Sequence, residues 1–147
     1  MEKNLNNLPE IIRSTYEFKE HDPATLSPLT LAFIGDTVFD LIVRTRVIEN
    51  GNAPVNKLHK TASSLVNATT QSAIIRELIP QLDETELKMF KRGRNAKSYT
   101  SAKNANINDY RVATGFESLI GWLYLSGDMA RIYELVLPVI PKYETKV

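Results

Sequence analysis

The segment that most constrains the fold is an apolar stretch at residues 30–43, TLAFIGDTVFDLIV, that carries two carboxylates. Its spacing is helical, and apolar side chains surround nearly the whole helix, a composition typical of a protein interior. Asp36 and Asp40 are four residues apart and therefore lie on the same face. Because a buried Asp needs a positive partner, that partner is either Arg44, one turn further on, or a divalent cation. The segment predicts either a structural ion pair or a metal-dependent site.

Composition narrows the class of protein. The 147 residues are enough for about one domain with a substantial core, and 43% hydrophobic with 24% charged residues is ordinary for a globular chain. With no cysteine, disulfides and thiolate sites are excluded, and the presence of only two histidines argues against a zinc site of the usual kind. We find neither a basic-then-apolar leader nor an apolar run long enough for a bilayer. These features predict a soluble, cytoplasmic protein without a membrane partner.

Helical spacing recurs along the chain, and no stretch shows strand alternation. Ser27 is placed to cap a helix with Pro28 at its first position, and Gly51 is a natural C-terminal stop. The pattern predicts an all-α bundle. The expected helices span residues 8–18, 28–50, 54–66, 69–79, 84–91, 108–125 and 129–139.

The domain organisation expected from this pattern is simple, since no repeat or low-complexity linker interrupts the chain. We predict a single domain over residues 1–147. Residues 1–24 form an N-terminal helix and lead-in, residues 27–140 the core, and residues 141–147 a tail that is expected to fray.

A second apolar helix, residues 110–125, contains Glu117 as its only carboxylate. Desolvating a lone carboxylate costs several kcal/mol without a counter-charge. Glu117 therefore pairs with a base such as Arg111, or joins a cleft with the first acidic helix. The second arrangement suits Mg²⁺, which takes one or two protein carboxylates and fills its other positions with water and phosphate oxygens.

A third segment, residues 88–103, carries six Lys or Arg side chains and no acidic residue. Its centre, residues 91–100, reads as a Gly-containing loop with guanidinium, ammonium, amide and hydroxyl donors. Such donors suit phosphate oxygens, so the segment predicts nucleic-acid binding. The alternative is a solvated basic surface, as most charge runs are.

These three segments together resemble the ribonuclease III family. Residues 31–38 are similar to its signature helix, Leu-Glu-Phe-Leu-Gly-Asp followed by a small and an apolar residue. Residues 114–125 resemble its second motif, Asp-x-Phe-Glu-Ala-Leu-Ile-Gly-x-Leu-Tyr-Leu. The middle of the chain, residues 58–98, looks like the Mini-III branch, whose members consist of the catalytic domain without a double-stranded-RNA-binding domain.

The resemblance implies an all-α, dimeric endonuclease domain that cleaves double-stranded RNA with Mg²⁺, or Mn²⁺ in its place. It implies products with a 5′-phosphate and a 3′-hydroxyl, a 23S ribosomal RNA precursor as substrate, and room for a ribosomal-protein helper. Asp36 matches the signature aspartate and Glu117 the second-motif glutamate, so both are expected to be catalytic metal ligands. Asp40 is a further candidate ligand, unless it holds Arg44.

Two departures from the longer relatives concern the acidic set. This chain has Ala32 where they have a glutamate, and Thr114 where they have an aspartate. A two-metal site is therefore in doubt, and Thr114 is expected at most to orient a water.

RNA contact is expected from the basic segment and from the helix that follows it, because the catalytic core must hold an A-form duplex through its phosphates and 2′-hydroxyls. The expected RNA-binding residues are Lys91, Arg92, Arg94, Asn95, Lys97, Ser98, Thr100, Lys103 and Arg111. Two alternatives share the fold. One is a catalytically silent double-stranded-RNA-binding protein, and the other is a protein-interaction module whose basic loop meets an acidic partner.

Overall fold

The computed structural model describes residues 7–97 and 106–145 of the chain. These residues form helices and turns without a strand, which confirms the all-α prediction. Short 3₁₀ turns lie at Pro23–Thr25 and Ile79–Gln81. The α-helices in these ranges are α1 (Leu8–Thr15), α2 (Pro28–Glu49), α3 (Val55–Val66), α4 (Ala68–Leu78), α5 (Glu84–Arg94), α6 (Ile107–Leu125), α7 (Met129–Val136) and α8 (Ile140–Tyr143).

Local sequence signals set several of the helix ends. The Ser27 side chain accepts a hydrogen bond from the Leu29 backbone N–H, so it caps α2 as predicted. At the far end of that helix Gly51 adopts a φ of 109°, a conformation that favours glycine and stops the helix. Asp83 and Glu86 form a reciprocal capping box at the start of α5.

Helix α6 is the centre of the bundle and packs most extensively against α2, then α5 and α4. Its crossing with α2 is very close because a glycine of each helix lies directly against the backbone of the other helix. A Cβ atom on Gly35 would lie 1.8 Å from the Glu117 carbonyl oxygen, and one on Gly121 would lie 1.9 Å from the Leu31 carbonyl oxygen. The crossing therefore requires glycine at both positions, and it fixes the height at which α2 meets α6.

The α5–α6 contact corrects the prediction for the basic segment. The helix was expected to end near residue 91, yet α5 continues to Arg94. Gly93 lies inside this helix, where a Cβ would approach the Ser118 Oγ to 2.3 Å. It serves close packing against α6 and not loop flexibility, so residues 91–94 present their charges from a rigid helix.

Helix α2 also differs from the prediction, since it was expected to be enclosed by the interior. One side packs in the core through residues such as Leu31, Phe39 and Val43, but Phe33 is 79% exposed and Leu41 is 65% exposed. An all-round apolar sequence had suggested burial on every side, and the bundle covers only part of the helix.

The C-terminal residues were expected to fray, and that expectation is wrong for those that the structure describes. Lys142 pairs with Glu77, and the Tyr143 hydroxyl donates to the same carboxylate at 2.8 Å. Arg46 forms an ion pair with Glu144 at 2.8 Å. These polar contacts hold α8 against α4 and α2. Among the described residues, no helix is long and apolar enough to cross a membrane.

Candidate active site

The α2–α6 crossing brings the two predicted catalytic carboxylates together. Asp36 follows Gly35 on α2, and Glu117 lies on α6 where that glycine meets its backbone. The two carboxyl groups interact directly, since Asp36 raises the pKa of Glu117. Asp36 is exposed and Glu117 half-buried, so the pair is open to solvent on one side. A distant pair in the sequence thus forms one acidic site.

The electrostatics of the pair favour a bound positive charge. Burial, the hydrogen bond to Asp36 and the negative charge of Asp36 together raise the pKa of Glu117 to about 8. The pair therefore retains a proton near neutral pH when nothing positive is bound. A divalent cation would displace that proton and stabilise both carboxylates.

The sequence left open whether the carboxylates of α2 and α6 are held in ion pairs, and the structure answers differently for the two helices. Arg44 Nε lies 3.0 Å from Asp40 Oδ2, so Asp40 has the structural partner. In residues 7–97 and 106–145, no ion pair involves Asp36 or Glu117. Within the same ranges no three His, Cys, Asp or Glu side chains gather as a metal cluster. The role of Asp40 as a ligand stays a prediction.

Sequence reasoning missed one residue of this site, Gln71 on α4. Its side chain is 2% exposed, and its amide lowers the pKa of Glu117 against the larger raising effects. A signal was present, because Gln71 shares its helix face with the buried Ile74, Ile75 and Leu78. An amide at a core-facing position is a reason to look for a polar partner.

Thr114 lies one turn before Glu117 on α6 and is buried. Its hydroxyl donates to the Tyr110 carbonyl oxygen at 3.0 Å. The proton is thus committed within the helix, while the oxygen keeps lone pairs that can accept from a water. The predicted water-orienting role is compatible with this geometry and stays a prediction.

Arg92 has a structural role in the fold. Its guanidinium donates to the Ala24 carbonyl oxygen at 2.9 Å and to the Leu26 carbonyl oxygen at 3.1 Å. These bonds hold the chain before α2 against α5. Arg92 also lines the cleft formed by the exposed residues of α5, and its role in RNA binding stays a prediction.

The other predicted RNA-binding residues at the end of α5 differ in their contacts with the rest of the protein. Lys91 and Asn95 are exposed and line a cleft on α5 together with Lys88. Arg94 lies over the Phe90 ring, 5.7 Å from its centroid, a cation–π contact.

Lys97 and Arg111 are exposed, as RNA contact requires. The predicted RNA-binding residues Ser98, Thr100 and Lys103 lie outside the described residues. Gly93 packs against Gly115 and Ser118 of α6, so the basic end of α5 contacts the helix that carries Glu117.

Comparisons with known proteins show which proteins this chain is similar to. A family model described as the Ribonuclease III domain matches residues 29–128. A Clostridium tetani protein named Mini-ribonuclease 3 is 51% identical over 129 residues, 87% of this chain and 85% of that protein. A protein of the same name from Brevibacillus brevis is 52% identical over 115 residues, 78% of this chain and 86% of that one.

Similarity extends to full length and to a solved structure. A Mini-ribonuclease 3 from Thermoanaerobacter sp. is 41% identical over 143 residues, which covers 95% of this chain and 99% of the relative. The crystal structure of a Fusobacterium nucleatum protein superposes with a TM-score of 0.75 at 31% identity, covering 84% of this chain and 98% of the other. The chain is thus similar in length, sequence and fold to these proteins.

Proposed function

This chain belongs to the ribonuclease III family, in its Mini-III branch, and is an endoribonuclease; from that premise we propose that it cleaves double-stranded RNA with Mg²⁺ held by Asp36 and Glu117. We extend the proposal to a single catalytic domain over residues 1–147. Family membership favours the enzyme over the two non-catalytic alternatives.

The observation that carries the proposal is the meeting of two carboxylates at the α2–α6 crossing without a cationic side chain paired to either in the part of the chain described. Two neighbouring negative charges repel each other, and this repulsion contributes to the raised pKa of Glu117. Carboxylates with strongly raised pKa values cluster at functional sites, which supports a positive ligand here.

The donor set fits Mg²⁺. It consists of carboxylate oxygens on one solvent-open side, and Mg²⁺ is bound in proteins by one or two carboxylates together with waters and phosphate oxygens. When bound, Mg²⁺ supplies Lewis-acid chemistry: it lowers the pKa of water for attack on a phosphodiester and stabilises the departing oxygen. Mn²⁺ has similar preferences and is expected to substitute.

The side chains of the site have distinct roles in this proposal. Asp36 and Glu117 hold the cation between α2 and α6, whose backbones are locked by Gly35 and Gly121. The Thr114 oxygen accepts a hydrogen bond from a water near Glu117. The products carry a 5′-phosphate and a 3′-hydroxyl, as the family resemblance implies.

The RNA surface that we propose is the exposed basic end of α5 with its neighbours. Lys91, Asn95 and Lys97 contact phosphates, and Lys88 lines the same cleft. Arg111 adds charge from the first turns of α6. The predicted contacts from Ser98, Thr100 and Lys103 are part of the same proposal. The substrate in the cell is a 23S ribosomal RNA precursor in the cytoplasm, and a ribosomal-protein helper is compatible with it.

A homodimer is the assembly that the exposed face of α2 favours. Leu29, Phe33, Leu41 and Ile48 recur at helical spacing along this face and are all exposed. Large exposed apolar side chains grouped on one side of a helix favour an interaction surface, and a twofold axis would bury this side of α2 against its copy. Sedimentation is expected to give twice the chain's mass.

The test of the proposed activity is cleavage of long duplex RNA by the purified full chain. We expect cleavage with Mg²⁺, none with EDTA, and none of a single strand of the same sequence. Products that an RNA ligase joins without prior kinase treatment establish the proposed ends. A protein that binds the duplex but leaves it intact in Mg²⁺ and in Mn²⁺ contradicts the proposal.

A further inference from the structure

We propose that the turn after α1 is a binding site for unpaired RNA nucleotides, whose bases stack on Tyr16 and Phe18 while their phosphates meet a cationic groove beside these rings. The site lies outside residues 29–128, the part of the chain that matches the ribonuclease III domain. It goes beyond the proposed cleavage of duplex RNA, because it requires neither the acidic pair nor a metal ion.

A strained backbone turn sets the position of the two rings. Glu17, which lies between them, adopts a φ of 57° and is the only residue other than glycine with a positive φ in the described part of the chain. The Phe18 N–H closes the turn by donating to the Arg13 carbonyl oxygen at 2.9 Å. Helices that stop in this way normally have glycine at the left-handed position. Because strained residues of this kind cluster at functional sites, the turn is a candidate ligand site.

The two rings that flank Glu17 contact each other and are open to solvent. Their centroids are 6.1 Å apart, and the ring planes are tilted by 44°. Tyr16 is 68% exposed and Phe18 is 62% exposed. Two large apolar rings held side by side at the surface favour an interaction site. Bases of any sequence stack on such rings, since every base has a π-face.

The groove beside the turn supplies the positive charge that phosphates require. Its apolar walls include Ile34 of α2 and Leu125 of α6. Among the described residues that line it there is no carboxylate, whereas three basic residues line it: Arg13, Lys19 and His21. None of these three takes part in an ion pair within the described ranges of the chain. The groove therefore complements an anionic ligand.

The carboxylates of the same segment lie outside the groove lining. Asp22 accepts a hydrogen bond from the Ala24 backbone N–H at 3.0 Å and caps the first 3₁₀ turn. Glu17 and Glu20 are exposed and do not line the groove. An acidic peptide would satisfy the cations alone, whereas unpaired nucleotides use both the cations and the flat rings. The combination favours nucleotides.

The test measures the binding of fluorescein-labelled oligouridine to the full chain by fluorescence anisotropy in EDTA, which excludes cleavage. Tyr16→Ala and Phe18→Ala should each weaken binding by about tenfold, the loss typical of one stacked base. Tyr16→Phe keeps the ring and should retain the affinity. Lys19→Ala should reduce the salt slope by about 0.7, the contribution of one phosphate on a single strand.

The matched control is Tyr133→Ala, because Tyr133 is an exposed aromatic residue of α7 at 44% exposure. It should leave oligouridine affinity unchanged. Blunt-ended duplex RNA has its bases paired, so Tyr16→Ala and Phe18→Ala should bind and cleave it as the unmodified protein does.

The remaining outcomes overturn the proposal. Unchanged affinity for oligouridine in both alanine variants of the turn, or an equal loss in Tyr133→Ala, shows that these rings bind no bases. Displacement of oligouridine by an equal concentration of oligoglutamate shows that charge alone fills the groove. A lower sedimenting mass of Tyr16→Ala or Phe18→Ala assigns the rings to a contact between two copies of the chain.

Failure of this site is distinguishable from failure of the proposed function. Glu117→Gln should bind oligouridine as the unmodified protein does, because the nucleotide site does not include the acidic pair. A variant of the turn that loses oligouridine binding while it cleaves blunt duplex RNA supports both proposals.

Discussion

Glu86 and Glu117 are carboxylates of neighbouring helices in one bundle, yet their surroundings are opposite. Glu86 is 3% exposed and receives two hydrogen bonds from Arg131, at 2.7 and 2.8 Å, which hold its pKa below the usual range. Glu117 is half-buried beside Asp36, and its pKa is raised to about 8. The fold supplies Glu86 with a cationic partner, whereas no ion pair among the described residues involves Glu117.

The same contrast appears within α2. Asp40 is paired with Arg44, whereas Asp36, one turn earlier, faces Glu117. Both are aspartates of the same helix, so the partner is what distinguishes the ion-paired Asp40 from Asp36, which we propose as a metal ligand. Replacement of members of each class therefore tests the comparison.

The largest expected effect is on cleavage by Asp36→Asn or Glu117→Gln. Each removes a ligand charge, and we expect the rate on duplex RNA to fall roughly 10³-fold or more while RNA binding survives. Gel-based cleavage and filter binding measure the two effects. Asp40→Asn sharpens the comparison, since an acid held by Arg44 should cost less than about tenfold in rate. A loss as large as that of Asp36→Asn would place Asp40 among the ligands.

The next largest effect is on stability and concerns Glu86, the carboxylate that is compared with Glu117. Glu86→Gln leaves the Arg131 guanidinium without its bidentate partner and should lower the free energy of unfolding by about 2–3 kcal/mol. Urea denaturation measures this loss. Glu134→Gln is the matched control, because Glu134 pairs with the same Arg131 at 3.5 Å but is 63% exposed. A loss in Glu86→Gln no larger than in this control would break the contrast.

A smaller effect is the pH dependence of the metal-free protein. With a pKa near 8 in the fold against 4.5 in the unfolded chain, Glu117 keeps a proton that the unfolded chain has lost. Its contribution to stability therefore falls as pH rises from about 4.5 to 8, by at most about 1.4 kcal/mol per pH unit. Glu86, with a lowered pKa, contributes in the opposite sense, and its stabilisation is lost on acidification below its unfolded pKa.

Melting temperatures in EDTA between pH 5 and 9 measure this effect. Glu117→Gln should gain stability relative to the unmodified protein as pH rises, and the two should converge near pH 5. Parallel curves for the two proteins would mean that Glu117 carries no raised pKa.

The smallest expected effect extends the comparison to basic residues of α5. Lys91 is exposed and in none of the ion pairs among residues the structure describes, so Lys91→Ala should weaken duplex RNA binding and reduce its salt slope by about 1. Arg92→Ala should instead lower stability and leave the slope unchanged, because that guanidinium binds backbone carbonyls. Salt titrations of affinity distinguish them. Equal slopes in both variants would refute the division.

The sequence predicted those features whose signal is local. Helix spacing, the Ser27 cap and the Gly51 stop depend on neighbouring residues, and the structure confirms them. Carboxylates among apolar residues drew attention to Asp36 and Glu117 within their own helices, and the family resemblance selected these two as candidate ligands.

The features that were missed depend on contacts between distant parts of the chain. Gly93 indicated a loop until its packing against α6 was known, and the bonds of Arg92 to the chain before α2 have no signal near Arg92 in the sequence. Gln71 and the anchored C-terminal residues follow the same rule. The sequence does not show whether a basic or polar side chain is already bonded to another part of the fold.

The most direct test of the shared-cation claim is the anomalous signal of Mn²⁺ in crystals of this protein. We expect one or more peaks with carboxylate oxygens of both Asp36 and Glu117 at about 2.1 Å. Mn²⁺ bound elsewhere, or either carboxylate turned to a guanidinium while the other stands alone, would contradict the account.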